Sequence, residues 1–207
     1  MHLLGAALDL LFPPRCPGCG RHGEADFCGE CESRIAAPVA PLCRVCGLPL
    51  GPGPADRCRA CLDHPPAFAS ARACATYSAL GGRPNPLRTV LHRCKYERDL
   101  AGIAPLARIL ATRQPLAGER YDLVVPVPLH LERLRWRGFN QAQHLVAPLA
   151  RRAAVPLDPF ALERTRATPP QVHLHANERR RNVLGAFRVR NPAAVRGRRI
   201  LLFDDVY

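Results

Sequence analysis

Lysine, methionine and tryptophan each occur only once in this 207-residue sequence, and no long apolar run is present. The longest apolar stretch near the amino terminus, LLGAALDLLFPP, is interrupted by Asp9, has no basic leader and is too short to cross a bilayer. We interpret it as a short amphipathic helix that ends at Pro13 and Pro14, with a signal peptide as the competing interpretation. We therefore expect no membrane insertion. A signal peptide would send the ten cysteines into an oxidising space, which their spacing argues against, so we expect a cytoplasmic protein.

Cysteine is abundant by contrast, and eight of the ten cysteines form four C-x-x-C pairs. The pairs are Cys16 and Cys19, Cys28 and Cys31, Cys43 and Cys46, and Cys58 and Cys61. Each pair turns two thiolates toward one point, and two pairs complete the tetrahedral four-thiolate shell that zinc prefers. The sequence thus predicts two structural zinc sites, whose closed shells leave no position for a catalytic water.

The spacing leaves the pairing of the four turns open. Sequential pairing closes short loops, whereas crossed pairing would interleave the first turn with the third. We favour sequential pairing, because each CxxCG turn is followed by its own return pair. Disulfides are the alternative, and a cytosolic context disfavours them. Cys74 and Cys94 lie outside the pattern, and we expect them to be small buried residues.

Charge divides the chain at about residue 66. Residues 1–66 hold six arginines and seven acidic residues, a formal charge of −1, and residues 67–207 hold 24 basic and 10 acidic residues, a formal charge of +14. We expect the zinc module at 1–66 to be structural or to dock a partner rather than to read DNA. The 24 basic residues of 67–207 favour a phosphate-rich ligand. The alternative is that the arginine-rich composition of the whole chain, 29 arginines to one lysine, simply spreads over solvated faces.

Beyond residue 66 the periodicity predicts alternating strands and helices. Strands are predicted at 71–79, 121–128 and 198–205, and helices within 85–114 and 140–154. Pro148 lies inside the second helical segment, and we expect it to kink or shorten the helix. This alternation is typical of an α/β domain with a parallel sheet, whose ligand site lies at the carboxyl ends of the strands. Asp204 and Asp205 follow the last predicted strand, although an acidic helix cap would give the same pattern.

Four blocks of sequence carry a family resemblance. They are LDLLFPPRCPGCG, VPVPLHLERLRWRGFNQA, RTRATPPQVHLHANERRRNVLGAF and RRILLFDDVY. In residue types, order and spacing they resemble the competence protein F (ComF) family, type I phosphoribosyltransferase-like proteins with an amino-terminal zinc ribbon. The resemblance covers the chain from end to end. It implies a parallel-sheet phosphoribosyltransferase-like domain at 67–207, preceded by a double zinc ribbon at 1–66.

The resemblance also implies a ligand, phosphoribosyl pyrophosphate (PRPP) with magnesium. ILLFDDVY resembles the opening of the PRPP motif, in which Asp204 and Asp205 would bind the ribose hydroxyls directly or through magnesium. Pro126, Val127 and Pro128 of the VPVP turn would lie beside the pyrophosphate. The family continues with a Thr-Thr-Gly loop that holds the 5′-phosphate, so we expect this chain to be a fragment, incomplete at its carboxyl terminus, that does not bind PRPP productively. Without that loop the two carboxylates would repel PRPP unless magnesium bridged them.

A further set of residues belongs to the block from Arg164 to Phe187. In wider relatives of the family this block closes over PRPP, and the resemblance implies a catalytic role for Arg164, Arg166 and Arg179, which would balance the charge of the leaving pyrophosphate. Bidentate arginines and carboxylate-bound magnesium suit the phosphate oxygens of PRPP on chemical grounds as well. No purine or pyrimidine pocket signature identifies an acceptor.

Nucleic acid is the alternative ligand. Arg133, Arg135 and Arg137 lie beside Trp136, an arrangement that suits phosphate contact and stacking with single-stranded DNA. Asn140 is expected to cap the helix that follows it. Two functions therefore stay open. One is a PRPP-binding protein, with or without phosphoribosyl transfer, and the other is a non-catalytic accessory factor that handles single-stranded DNA with other competence proteins during natural transformation.

Overall fold

The structure, a computed structural model, describes residues 13–78, 84–113, 120–169 and 176–207. The predicted amino-terminal helix lies outside these residues. The described residues form two compact units. One comprises the residues up to His92 with residues 112–113 and 207, and the other comprises residues 93–111 and 120–206. The first unit thus continues past residue 66, where we place the domain boundary, and that boundary stays a prediction.

The first unit contains three short helices. Helix α1 is Gly29–Ser33, α2 is Arg59–Asp63 and α3 is Pro86–His92. The side chain of Asn85 fixes the start of α3, because its Oδ1 accepts from the backbone N–H of Leu87 at 2.9 Å. Its Nδ2 donates to the carbonyl oxygens of Thr76 and Ser78, at 2.8 and 2.9 Å. Asn85 is buried with all of these bonds satisfied, so it holds α3 to the preceding segment.

The strand predicted at 71–79 is wrong for its described part, residues 71–78, which contains no strand. This segment bonds to two separate points of the chain rather than to a neighbouring strand. Ala71 donates its N–H to the carbonyl oxygen of Val45 at 2.6 Å, and Thr76 donates to that of Ala36 at 2.8 Å. The alternation in ARACATYSA therefore marks a segment tied to the cysteine-rich region, not a sheet ladder.

The helices predicted within 85–114 are confirmed. After α3 the chain forms a π-helix, Arg93–Glu97, and α4 spans Ile103–Arg113. Cys94 on the π-helix is fully buried, as predicted, whereas Cys74 is only partly buried. The buried face of α4 includes Ile103, Leu106 and Leu110, which matches the predicted apolar spacing.

Among the described residues, four strands form two small sheets. Strand β1 is Leu123–Pro126, β2 is Leu162–Arg164, β3 is Phe187–Val189 and β4 is Ile200–Phe203. Strands β1 and β4 are parallel, with Leu123 opposite Ile200 and Pro126 opposite Phe203. All four residues of β1 are buried, as expected for a strand with both faces covered. Val127 donates to the carbonyl oxygen of Phe203 at 2.8 Å, so the carboxyl ends of the two strands stay side by side.

Two helices follow β1, namely α5, Leu131–Arg137, and α6, Gln141–Arg152. Asn140 caps α6 as predicted, because its Oδ1 accepts from the N–H of Ala142 at 3.1 Å. Of the two predicted effects of Pro148, the shortening is wrong, since α6 continues to Arg152, and the kink stays a prediction. Proline removes only one backbone hydrogen bond, and Val146 and Leu149 keep the helix packed on either side of it.

The antiparallel pair of β2 and β3 has no counterpart in the sequence prediction. Leu162 lies opposite Val189 and Arg164 opposite Phe187. Each strand has only three residues, too few for a period of two to stand out from the surrounding arginines. Helix α7, Ala176–Val183, lies between these strands in the chain, and α8, Pro192–Val195, precedes β4. No helix within the described residues has both the length and the apolar composition needed to cross a membrane.

Candidate functional site

Eight cysteines form two four-sulfur clusters. The first contains Cys16, Cys19, Cys28 and Cys31, and the second contains Cys43, Cys46, Cys58 and Cys61. The Sγ atoms of each cluster lie within 4.8 Å of one another. The favoured sequential pairing is therefore confirmed, and the crossed arrangement is wrong.

The geometry of both clusters fits zinc. The Sγ atoms of Cys19 and Cys28 are 3.7 Å apart, and those of Cys46 and Cys58 are 3.6 Å apart. A tetrahedral zinc with bonds of about 2.3 Å places its sulfur ligands about 3.8 Å from one another. Each set of four thiolates would hold one zinc in a closed shell, whose role is to fix the fold rather than to carry a reaction.

The same local structure builds both clusters. Gly20 and Gly47 each donate an N–H to the carbonyl oxygen four residues earlier, at 2.8 Å, and each has a positive φ, 78° and 71°. The Sγ atoms of Cys16 and Cys43 each accept a backbone N–H from the opposite turn, at 3.3 Å. Burial opposes ionisation of these two thiols, but the backbone donors outweigh it and lower the pKa of each to about 6. Both sulfurs are thus prepared to bind metal as thiolates.

The second candidate site lies at the carboxyl ends of β1 and β4. Asp204 and Asp205 follow β4 directly, and the turn of Val127 and Pro128 follows β1. Asn140 ties this turn to α6, since its Nδ2 donates to the carbonyl oxygen of Val127 at 3.0 Å while its Oδ1 caps the helix. The parallel pairing therefore brings the predicted carboxylates and the predicted pyrophosphate turn to one edge of the sheet.

Asp205 is the centre of a buried polar network. Its Oδ2 lies 2.5 Å from Nζ of Lys95, and its Oδ1 accepts from Nε2 of Gln141 at 3.1 Å. Gln141 in turn accepts from Nη1 of Arg137 at 2.5 Å. The Asp205 side chain is only 3% exposed. Burial alone would raise its pKa, but the charge of Lys95 and the hydrogen bonds to Asp204, Lys95 and Gln141 lower it, so Asp205 is ionised.

Asp204 is in a different environment from its neighbour. It is exposed, and its Oδ1 accepts from the backbone N–H of Asp205 at 2.8 Å. Desolvation by the surrounding protein atoms, together with the negative charge of Asp205, raises the pKa of Asp204 to about 7. Of the two predicted ligand carboxylates, Asp204 is thus the one that faces solvent, while Asp205 is engaged by Lys95 and Gln141.

The three predicted catalytic arginines lie in different surroundings. Arg164 ends β2, its Nη2 donates to Oγ1 of Thr168, and its guanidinium lies 5.3 Å from the ring centre of Phe187. Arg166 donates through Nη2 to the carbonyl oxygens of Asn182 and Leu184, both at 3.0 Å. It thus satisfies carbonyl groups at the carboxyl end of α7. The side chain of Arg179 lies outside the described part of the chain. The catalytic roles of all three stay predictions.

The predicted nucleic-acid residues lie on α5 and divide into two groups. Arg135 and Trp136 are exposed and Arg133 is partly exposed. Arg137 is only 6% exposed and bonds Gln141, so it belongs to the buried network and is not part of a nucleic-acid surface. Arg137 lies one residue beyond Trp136 and so about 100° around the helix axis from it, and its bond to Gln141 holds it in the buried network.

A cavity of about 270 Å³ opens beside α5. Its lining consists of His130, Glu132, Arg133, Trp136, Arg164, Ala167 and Thr168. Arg164 lines the cavity, and the negative charge of Asp204 favours the charged form of its guanidinium and so raises its pKa. Burial, followed by the positive charge of Arg133, nevertheless lowers the pKa of Arg164. Arg164 of the cavity and Asp204 at the edge of the parallel strands thus interact electrostatically.

Sequence reasoning missed Lys95, Gln141, His130 and Thr168. Lys95 is the only lysine in a chain with 29 arginines, a signal that could have marked it. Its partner Asp205 lies 110 positions further along the chain, so no local pattern connects the two. Gln141 belongs to the RGFNQ block, where helix capping by Asn140 accounts for only one of the polar residues.

Comparisons with known proteins agree with the two cysteine clusters at the amino terminus. The double zinc ribbon domain family matches residues 7–62. The chain is 35% identical to DNA utilization protein YhgH of Salmonella typhi over 185 residues, which cover 87% of this chain and 77% of that protein. It is 34% identical to the protein of the same name from Escherichia coli strain K12 over 189 residues, 89% of this chain and 79% of that protein. No solved structure matches the chain.

A relative with a different name extends the comparison. Competence protein F of Haemophilus influenzae is 29% identical over 197 residues, which cover 92% of this chain and 82% of that protein. The cluster geometry and the domain match together define a protein with an amino-terminal double zinc ribbon, followed by an α/β part with parallel strands. The chain belongs to the family of DNA utilization protein YhgH and competence protein F.

Proposed function

We propose that this chain binds PRPP weakly, and only with magnesium, at the carboxyl ends of β1 and β4, on a fold of the type I phosphoribosyltransferase kind; that this binding is not productive stays a prediction. The observation that carries the proposal is the shared edge of these strands, where Asp204 lies next to the VPVP turn. In parallel α/β sheets, ligands bind at the carboxyl ends of the strands. A cytoplasmic location suits the eight reduced thiols that two zinc sites require.

The side chains at this edge divide the work of binding. Asp204 is exposed, and its carboxylate would take magnesium, which is hard and prefers oxygen ligands. Asp205 would support the site without binding the metal itself, because its carboxylate is already bound by Lys95 and Gln141. Arg164 interacts electrostatically with Asp204, and its guanidinium would donate hydrogen bonds to the pyrophosphate oxygens. Metal and arginine together would neutralise the charges that otherwise repel PRPP.

Isothermal titration of PRPP into the protein tests this proposal. We expect binding with magnesium and none without it, because only the metal bridges Asp204 to PRPP. Asp204→Asn should weaken binding by tenfold or more, about 1.4 kcal/mol per factor of ten. Asp122→Asn is the matched control, since Asp122 lies at the amino end of β1 and an amide oxygen can still accept from the N–H of Arg199. Equal loss of affinity in both variants would contradict the assignment of the site.

Single-stranded DNA is the second candidate ligand. Trp136 is 48% exposed on α5, and Arg133 and Arg135 lie on the same helix, an arrangement of aromatic and cationic side chains that suits a single strand. Relatives of this chain carry the names DNA utilization protein and competence protein. On this reading the protein handles DNA in natural transformation, together with other competence proteins.

Fluorescence anisotropy with a labelled oligodeoxynucleotide tests the second candidate. The affinity should fall steeply with salt, because neutralised phosphates release counterions. Replacing both Arg133 and Arg135 with alanine should lower the slope of log affinity against log salt by about 1.4, or about 0.7 for each lost phosphate contact. The control variant replaces Arg21 and Arg59 of the zinc ribbon, and its slope should stay at the wild-type value. A slope that drops only in the control would refute the assignment to α5.

A further inference from the structure

We propose that the cavity beside α5 receives one unpaired nucleotide of single-stranded DNA, with its base against Trp136 and its phosphate between Arg133 and Arg164. This inference rests on the nucleic-acid function proposed above and adds the site, the unit that is bound and the role of each side chain. The size of the cavity gives the first reason. Ligand pockets commonly measure about 300–1,000 Å³, so a cavity of about 270 Å³ suits a single nucleotide rather than a longer segment.

Trp136 supplies the stacking surface. Its ring lines the cavity and is 48% exposed, so a base can reach it. The guanidinium of Arg98 lies 5.0 Å from the ring centre, a cation–π contact that restrains the indole before any ligand arrives. Bases stack on aromatic rings with little regard to sequence, because every base has a π face. The site therefore fits a protein that handles DNA without selecting its sequence.

Two arginines converge on one buried threonine to form the phosphate position. Arg164 donates to the side-chain oxygen of Thr168, and Nη2 of Arg133 lies 3.4 Å from the backbone oxygen of the same residue. Thr168 is 6% exposed, so it fixes both guanidinium groups from the inner side. The positive charge of Arg133 also acts on Arg164, and an anion between them would relieve this repulsion.

Unused hydrogen-bonding capacity at the cavity supports a polar ligand. Nε of Arg164 and Nδ1 of His130 are buried, and neither has a hydrogen-bond partner among the described residues. Buried polar groups rarely stay unsatisfied, so these two atoms call for a partner such as a water, an ion or a polar ligand. Among the described residues that line the cavity, Glu132 is the one acidic residue, with a side chain 79% exposed and 3.7 Å from His130. Its charge opposes a phosphate at the rim, so Glu132→Gln should tighten binding.

The single tryptophan of the chain makes the proposal directly measurable, because all tryptophan fluorescence comes from the cavity wall. The probes are hexathymidylate and a hexamer of abasic deoxyribose phosphates with the same charge. We expect hexathymidylate to quench the fluorescence and to bind about 5- to 150-fold more tightly than the abasic hexamer, the range expected for one stacked base at about 1–3 kcal/mol. Anisotropy of labelled hexamers gives both affinities independently of quenching.

Variants separate the cavity from the rest of α5. Trp136→Ala should abolish the preference for hexathymidylate over the abasic hexamer, and Trp136→Phe should retain most of it. Arg133→Ala should weaken the affinity for hexathymidylate, measured by quenching, by about tenfold. Arg135→Ala should leave the preference for hexathymidylate over the abasic hexamer intact, because Arg135 is exposed on the same helix but does not line the cavity. Rescue by phenylalanine distinguishes stacking from a loss of folding.

Three results would overturn the inference. Tight binding of hexathymidylate without quenching would place the DNA elsewhere, leaving the nucleic-acid function intact but removing the cavity from it. Equal affinity for the two hexamers would reduce the cavity to a site for phosphate alone. Failure of both hexamers to bind would remove the nucleic-acid function and this inference together.

Discussion

Lys95→Met should destabilise the second unit, because it removes one partner of a buried ion pair. Lys95 lies 2.5 Å from Asp205, whose side chain is 3% exposed. Removing one partner of a buried ion pair typically costs about 3–5 kcal/mol, because the remaining charge is left without compensation. The Lys95 side chain is 24% exposed, so water can partly replace it, and we expect a loss of about 3 kcal/mol.

Urea unfolding followed by tryptophan fluorescence measures this loss in the right part of the molecule, because Trp136 belongs to the second unit. With an m value of about 2 kcal/mol/M, the midpoint should fall by about 1.5 M. Lys95→Arg retains the charge and should lose less, whereas Lys95→Met combined with Asp205→Leu should recover part of the loss, since no buried charge remains unpaired. A midpoint within about 0.3 M of wild type for Lys95→Met would refute the reasoning.

The pH dependence of this pair follows from the lowered pKa of Asp205. A carboxyl group with a lower pKa in the folded state contributes stability above its unfolded pKa of about 3.9 and loses it as the pH falls through the folded pKa. The difference between wild type and Lys95→Met should therefore be full at pH 7 and should shrink below about pH 4. A difference that grows on acidification would contradict the ion pair.

Three further predictions concern the other features of the chain. Elemental analysis should find two zinc ions per chain, and chelation should melt residues 16–61 while tryptophan fluorescence of the second unit changes little; absence of zinc would exclude both sites. In thermal melts, Gly47→Ala should destabilise the zinc ribbon more than Gly20→Ala does. Both glycines have a positive φ, but of the two only Gly47 would place a Cβ against the carbonyl oxygen of Ala71. We expect a loss of about 2–3 kcal/mol in the free energy of unfolding for Gly47→Ala and of about 1 kcal/mol for Gly20→Ala. Asp204→Asn should stabilise the protein at pH 8 but not at pH 4, because the raised pKa of Asp204 in the folded state lowers the stability of the wild type as the pH rises from about 4 to 7. Solvent screening at this exposed residue limits the gain to about 1 kcal/mol. No gain in the urea midpoint of the variant at pH 8 would argue against the raised pKa.

The parts of the structure that could be predicted from sequence are those that rest on short-range patterns. The C-x-x-C spacing gave both metal clusters and favoured their correct pairing, because each cluster closes within 20 residues of chain. The apolar runs at 121–128 and 198–205 predicted β1 and β4, and the Asn140 cap followed from its position before an apolar helix. Asp204 and Asp205 were therefore placed correctly at the end of a strand.

The parts that could not be predicted depend on distant contacts. Lys95 and Asp205 meet only after the π-helix and β4 have packed in the second unit, so their pairing has no local signature. The inward position of Arg137 is likewise decided by Gln141 and Asp205 rather than by its own neighbours in RLRWRG. The segment 71–78 shows the opposite error, since its alternating pattern has no strand partner within the described chain. Residue types alone do not distinguish an exposed arginine from one that completes a buried network.

A crystal structure of the protein with PRPP and magnesium would test the proposed site most sharply. We expect a magnesium ion about 2.1 Å from a carboxylate oxygen of Asp204, PRPP at the carboxyl ends of β1 and β4, and the contact between Lys95 and Asp205 retained. PRPP bound away from this edge, or at the edge without a metal on Asp204, would rule out the proposed site.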